Sequence, residues 1–328
     1  MTRGLRPTRR LFLAAATSLL LPRAARAQEA GRTYRVGFIS FNPRGAPAYA
    51  GLFEELARAG FVDGGNLTVD PQGFNVTAQR LQEVAEAVIA TTPDAIVCSG
   101  DPIARTVLHA TTTLPIVANC DDLVRNGLVA SLARPAGNLT GVSILSTELD
   151  GKRQELLIDL VPGIRHLAAL ADSSTTGPDR LAALQQAAAA RGVELSIQYI
   201  ANGAEIAPAV EQARAGGAQA INVLASALLY PHRRELIERI AAARLPAIYQ
   251  FPEIVEEDAL MGYGPRLASI YRDLVAPKLI KVLRGVKPAD IPAEQPTAFE
   301  LGINLKTAKA LGLVVPALLL AQADEVIE

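Results

Sequence analysis

The chain has 328 residues, half of them hydrophobic and a fifth charged, which is enough apolar material for a large core and excludes disorder as its main state. All six charges in residues 1–27 are arginines, and without them 26 basic residues face 33 acidic ones, a net charge of −7. A phosphate-backbone binder leans the other way, so no nucleic-acid partner is expected, and the length suggests two lobes of about 150 residues each.

The first 27 residues combine a basic start, the apolar run Leu11 to Leu21, the helix breaker Pro22 and small residues at Ala25 and Ala27. This reads as a signal peptide cleaved after Ala27. Eleven apolar residues rise only about 16 Å, roughly half the hydrocarbon core of a bilayer, so a membrane anchor is not expected. Thr8-Arg9-Arg10-Leu11-Phe12-Leu13 resembles the twin-arginine export motif, and both that route and ordinary unfolded export stay open. With no cysteine at the cleavage point for lipid attachment, the mature protein is expected in the periplasm without membrane insertion.

Beyond the leader, short β-rich runs alternate with longer helical stretches, the pattern of a doubly wound α/β protein with parallel sheets. Tyr34 to Ser40, Asn66 to Asp70, Asp94 to Cys98 and Pro115 to Asn119 read as strands, with helices at Ala48 to Ala59, Ala78 to Ala90 and Ile103 to Ala110. Asn138 to Ser143 reads as the start of a new unit after the Pro135-Ala136-Gly137 turn. A second series repeats the plan, with strands at Arg165 to Ala171, Val193 to Tyr199 and Ala218 to Ala225, and helices at Asp179 to Arg191, Ala204 to Ala215 and Arg233 to Ala243. Two further strands, Pro246 to Gln250 and Ala259 to Tyr263, precede a helix over Leu267 to Arg284. The Pro-rich stretch Lys287 to Pro296 reads as a stiff linker crossing back between the lobes. Two comparable series imply two similar lobes.

In open parallel sheets, ligands dock beyond the carboxyl ends of the strands. That rule nominates Ser40, Phe41 and Asn42, then Ser99 and Gly100, where Pro102 behind an Asp101 cap would begin a helix, and Asn119 ahead of Asp121-Asp122. In the second series it nominates Ser173, Ser174, Ser226, Gln250 and Phe251. Each loop also reads as an ordinary polar turn or helix cap, and Tyr263 as either a site wall or strand-end packing.

His109, His166 and His232 lie in separate units without ligand spacing, and two cysteines are too few for a zinc site or a disulfide scaffold. Cys98 and Cys120 read as buried thiols, with a bond between them left open. No nucleophile elbow, phosphate-binding loop or dinucleotide fingerprint occurs, and the acidic pairs Glu54-Glu55, Asp121-Asp122 and Glu256-Glu257 read as solvated faces. Neither metal, cofactor nor catalytic residue is expected.

Tyr263-Gly264-Pro265-Arg266-Leu267-Ala268, Tyr271, Gly285, Lys287-Pro288-Ala289-Asp290 and Gln295-Pro296-Thr297, followed by Phe299-Glu300-Leu301 and Ile303 to Leu313, form a long C-terminal signature. With Gly127 to Leu132, Arg134-Pro135, Gly137-Asn138, Thr140 to Val142 and the ending Ala323 to Glu328, it resembles the ABC transporter substrate-binding protein family of tryptophan or tyrosine type. The sequence departs from the family pattern at Asn119 to Asp122, where a Gly-Gly-Asp-Pro-like turn is usual, and at Asp172-Ser173-Ser174, where Asn-Pro is usual.

The resemblance implies a type I periplasmic-binding-protein fold, two lobes joined by a hinge of several crossings with ligand enclosed between them. The expected division is an N-terminal lobe of residues 31–140 plus about 264–290, and a C-terminal lobe of 141–263 plus about 291–328. The function implied is an extracytoplasmic solute-binding protein, not an enzyme, that captures a small organic molecule such as an amino acid or aromatic compound and delivers it to an ABC permease with a cytoplasmic ATPase. A monomer is expected. Rival readings are a ligand-sensing subunit of a membrane sensor and a secreted α/β enzyme.

Overall fold

The computed structural model describes residues 31–328. The predicted signal peptide and its twin-arginine motif lie outside them.

The first half builds β1 (Tyr34–Ile39), α1 (Ala50–Arg58), β2 (Leu67–Val69), α2 (Leu81–Ala90), β3 (Ala95–Ser99), α3 (Asp101–Ala110), β4 (Ile116–Cys120) and β5 (Leu139–Ser143). Its strands pair in parallel in the order β2-β1-β3-β4-β5. The successive residues of β3 alternate faces: Ala95 and Val97 join Phe38, Leu52 and Leu279 in one core, while Ile96 and Cys98 join Val88 and Val107 in the other. Both faces are therefore covered, and each fully buried Val or Ile contributes roughly 1.5–3 kcal/mol.

The second half adds α4 (Asp150–Leu160), β6 (His166–Asp172), α5 (Pro178–Ala190), β7 (Glu194–Ile200), α6 (Ile206–Ala215), β8 (Ala220–Val223), α7 (Arg233–Ala242), β9 (Ala247–Tyr249) and β10 (Met261–Gly264). The chain then forms one rod, α8 (Leu267–Ser269), a π-helical turn (Ile270–Val275) and α9 (Ala276–Leu283), which packs on the first sheet. It closes with β11 (Glu300–Asn304), α10 (Leu305–Ala310), α11 (Ala317–Gln322) and β12 (Glu325–Ile327). The second sheet runs β12-β11-β10-β9-β8-β6-β7.

The structure thus has two doubly wound α/β lobes, as the alternation predicts, with three differences in detail. Asn138 to Ser143 does not open the second series, because β5 hydrogen-bonds along β4 and completes the first sheet. Sequence reading finds no helix at α4, whose apolar stripe is blurred by burial of Asp150, Arg153 and Gln154. The second sheet is not wholly parallel: β11 runs antiparallel to β10. After β10 the chain leaves for the first lobe and returns beside β5, so it enters β11 from the opposite end.

Three crossings join the lobes, and buried polar groups fix each. At the first, Leu145 adopts a left-handed backbone (φ 48°), costing on the order of 1 kcal/mol, while its N–H donates to the Asp121 carbonyl. The second follows Tyr263, whose carbonyl accepts from Arg153 Nη1 at 2.8 Å. Arg153 also donates to the Ser146 carbonyl beside the first crossing and to Asp150, so one fully buried guanidinium clamps two crossings. Burial pushes its pKa down to about 9, opposed by the charge of Asp121. The third crossing lies along β5: Thr140 donates to the Ile291 carbonyl at 2.7 Å, the Ser143 N–H to the Glu294 carbonyl, and buried Lys278 of α9 to the Glu294 carboxylate at 2.7 Å.

Candidate functional site

The carboxyl ends of β1, β3 and β4 gather a neutral polar cluster around two tyrosines. Ser40 is buried, with its hydroxyl 2.6 Å from the Tyr49 hydroxyl, and it accepts the N–H of Asn42 at 2.9 Å. Tyr49 meets Tyr271 edge to face at 4.8 Å, and the Tyr271 hydroxyl donates to Ser99 at 2.7 Å. Burial raises both phenol pKa values, opposed at Tyr49 by its hydrogen bond with Ser40 and at Tyr271 by its hydrogen bond to Ser99. Both stay protonated at neutral pH. Two acceptors are left over, because Asn42 Oδ1 and Asn119 Oδ1 are buried without a hydrogen-bond partner.

Gly100 rather than Asp101 caps α3, with φ at 116°, a conformation that favours glycine. Its missing side chain matters for closure as well: a Cβ there would stand 3.2 Å from the Ala227 methyl of the second lobe. Asp101 is the first helical residue, and its carboxylate accepts the Asp121 N–H at 2.8 Å and the Asn126 amide at 2.6 Å. Asp121 in turn holds the N–H and hydroxyl of Thr147, and Asp122 holds the N–H groups of Val124 and Arg125. Both carboxylates are engaged within the protein.

On the second lobe, the carboxyl ends of β6, β8 and β9 converge on Asp172. Its buried carboxylate accepts from the Ser226 hydroxyl at 2.7 Å and from the Ser174 hydroxyl and N–H. The Ser226 N–H donates to Gln250 Oε1 at 2.9 Å, so Ser226 and Gln250 form one network. Gln250 also lines a small cavity with Tyr230, Arg233 and Tyr249. Phe251 meets Tyr230 edge to face at 5.0 Å and is buried within the first lobe's aromatic core. The Arg233 guanidinium lies over the Tyr230 ring, 4.8 Å from its centroid.

The structure therefore brings together Ser40, Asn42, Ser99, Gly100 and Asn119 on one side, and Ser226 and Gln250 on the other, while Phe251, expected on the second lobe's side, is seated in the first lobe's aromatic core. It does not bring in Phe41, which packs against the core on the opposite face of the first sheet from Tyr49. Ser173 and Ser174 are exposed, and Ser174 serves as a local partner of Asp172. Tyr263 packs against the second lobe's core and lends only its carbonyl to Arg153.

Strand-end reasoning misses Tyr49, Tyr271 and Arg180, since all three stand on helical segments. Tyr271 left a signal nonetheless, as one of the residues in the C-terminal signature. Arg180, in the first turn of α5, forms an ion pair with Asp150. Burial lowers its pKa to about 10, with Asp121 opposing the shift and Arg125 adding to it. Cys98 and Cys120 are both buried free thiols.

A family model described as ABC transporter substrate binding protein matches residues 38–327. A tyrosine-binding protein of Clostridioides difficile is 26% identical over 271 residues, covering 81% of this chain and 76% of that protein. Among solved structures, an ABC domain from Streptococcus pneumoniae in complex with L-Trp superposes with a TM-score of 0.78 at 23% identity, covering 90% of this chain and all of that one. A conserved domain protein from Vibrio cholerae gives the same TM-score and identity, covering 90% and 99% of the two chains. These structures share the fold. The match of one family model to nearly the whole described chain shows that the protein belongs to the ABC transporter substrate-binding proteins.

Proposed function

We propose that this protein is the extracytoplasmic receptor of an ABC importer, closing on a small organic molecule and presenting it to a membrane permease without transforming it. The observation that carries this reading is the pair of buried, unpartnered oxygens of Asn42 and Asn119 at the carboxyl ends of β1 and β4, which flank β3. A buried acceptor without a donor costs about 1–3 kcal/mol, and a ligand's N–H or O–H groups would remove that cost. Ser40, Ser99, Ser226 and Gln250 would fix polar groups, with Tyr49, Tyr230 and Tyr271 covering an apolar middle. Contact with both lobes is what favours the closed form over the open one.

The Clostridioides difficile relative is a tyrosine-binding protein and the Streptococcus pneumoniae structure holds L-Trp, so L-tyrosine and L-tryptophan are the first ligands to try. No helix among the described residues is long and apolar enough to cross a membrane. The test is a thermal-shift screen of amino acids and aromatic acids on protein stripped of ligand by unfolding and refolding. A ligand at a thousand times its Kd stabilises by about 4 kcal/mol, a shift that is easily read. Conversion of any of these compounds at catalytic protein concentration would overturn the reading.

A further inference from the structure

Arg153 and Arg180 share a single carboxylate, Asp150. Arg153 spends its donors on Asp150 and on the carbonyls of Ser146 and Tyr263. Arg180 has only its ion pair with Asp150, and its Nε is buried without a hydrogen-bond partner. Four residues earlier, in the β6-to-α5 connection, the Thr176 hydroxyl is also buried and unpartnered.

The position of this group is set by Asp150, which accepts the Ala225 N–H just beyond the carboxyl end of β8. Arg180 therefore stands at the ligand-facing edge of the second sheet. Asp121 and Arg125, on the loop after β4 of the first lobe, both act on its charge. Asp121 does not fill its donors, because both of its oxygens are held by Thr147. One buried and one partly buried guanidinium on one carboxylate leave a positive charge without a hydrogen-bonded counterion, and Arg125 adds to the same field. A planar anion matches the open side of a guanidinium, which can meet a carboxylate with two parallel hydrogen bonds.

We propose that Arg180, assisted by Thr176, receives the carboxylate of the transported molecule, so that the cargo is an organic acid, zwitterionic or anionic, whose donor-bearing end reaches Asn42 and Asn119. This rests on the receptor reading and deepens it by naming the ligand's chemical class. The carboxylate would replace the missing hydrogen-bond partner on the second lobe while the same molecule engages the first. Gripping an acid at that point would favour closure.

The test uses stripped protein and matched probes measured by calorimetry: L-tyrosine and L-tryptophan, their carboxyl-free amines tyramine and tryptamine, and the amine-free acids 3-(4-hydroxyphenyl)propanoate and indole-3-propanoate. The expected result is that the best-binding acid loses at least tenfold in affinity in Arg180→Gln, with a smaller loss in Thr176→Val. Its carboxyl-free counterpart should bind the unaltered protein at least tenfold more weakly. If Arg180→Gln does not fold, the comparison of acid with amine on the unaltered protein decides. An amine that binds as tightly as its acid, or an acid that binds Arg180→Gln as well as the unaltered protein, overturns the assignment of Arg180 and leaves the receptor reading standing. Failure of every probe and of a wider screen of carboxylates, with binding of neutral compounds, also overturns it; failure of all small molecules overturns the receptor reading itself.

Discussion

The Tyr271 hydroxyl donates to Ser99 Oγ at 2.7 Å, joining residues 172 positions apart in the chain. The bond ties the rod that follows the second crossing to the end of β3, and the ring beneath it packs edge to face on Tyr49. Tyr271→Phe keeps the packing and removes the bond. The expected loss is about 1 kcal/mol, seen as a lower urea midpoint with an unchanged slope. An unchanged midpoint would mean that Ser99 finds an equally good partner.

Arg153 offers a harsher perturbation. Arg153→Met would strip donors from the Ser146 and Tyr263 carbonyls and leave Asp150 with Arg180 as its one remaining ion-pair partner among the described residues. Breaking a buried ion pair from one side costs roughly 3–5 kcal/mol, so urea denaturation should show a severely destabilised protein. A loss below about 1 kcal/mol would contradict the clamp described for the first two crossings.

Glu253 joins the turn after β9 to the start of α8, accepting the Leu267 N–H at 2.8 Å. Burial pushes its pKa up to about 7, with Arg266 opposing the rise and Glu256 adding to it. Between its ordinary value of 4.5 and about 7, the folded protein holds a proton that the unfolded chain releases. Its contribution to stability therefore falls as pH rises through that window and levels off above it, by on the order of 3 kcal/mol in total. Glu253→Gln should flatten this dependence in melting curves from pH 4.5 to 8; a slope identical to that of the unaltered protein would refute the account.

Gly100→Val places a branched side chain in a left-handed conformation and against Ala227. The backbone strain costs about 1–3 kcal/mol, and the side chain acts as a wedge between the lobes. We expect a folded protein whose small-angle scattering reports a larger radius of gyration and whose ligand-induced thermal shift is reduced at least tenfold in apparent affinity. Unchanged affinity would show that the lobes need not approach at this point.

Cys98 and Cys120 are inert for a physical reason: desolvation raises both thiol pKa values, and Asp101 adds to the rise at Cys120. Ellman's reagent should find neither thiol in the native protein at pH 8 and both in denaturant. Rapid native labelling of either would show that the strand ends open on a short timescale.

Much of the architecture is legible in the sequence, because both sheets depend on apolar runs such as Ile96-Val97-Cys98 and Leu167 to Ala171, whose burial on two faces leaves little choice of structure. The reversal of β11 is not legible, since it follows from where the chain returns after its excursion to the first lobe. The strand-end rule nominates Asn42 and Ser226, which sit on connections, and Asn119, the penultimate residue of β4, and the structure sets all three at carboxyl strand ends. The rule cannot find Arg153, because an arginine three residues after Asp150 on one helix looks like an exposed i,i+3 pair until packing removes the water, nor Arg180, which stands on α5 with its partner Asp150 on another helix. Ser173 and Ser174 lie on the loop after β6 with both residues exposed, and the engagement of Ser174 by Asp172 follows from backbone geometry and not from residue type.

The first lobe's aromatic core contains Phe38 and Tyr49 from the start of the chain, but also Phe251, Tyr271 and Leu279 from near its end. A ribosome must therefore synthesise most of the polypeptide before that core has all its members. Native contacts of such long sequence separation slow folding. The nascent chain consequently stays incompletely structured through most of its synthesis, and removing the segment beyond residue 263 would cripple the amino-terminal half as surely as the carboxyl-terminal one.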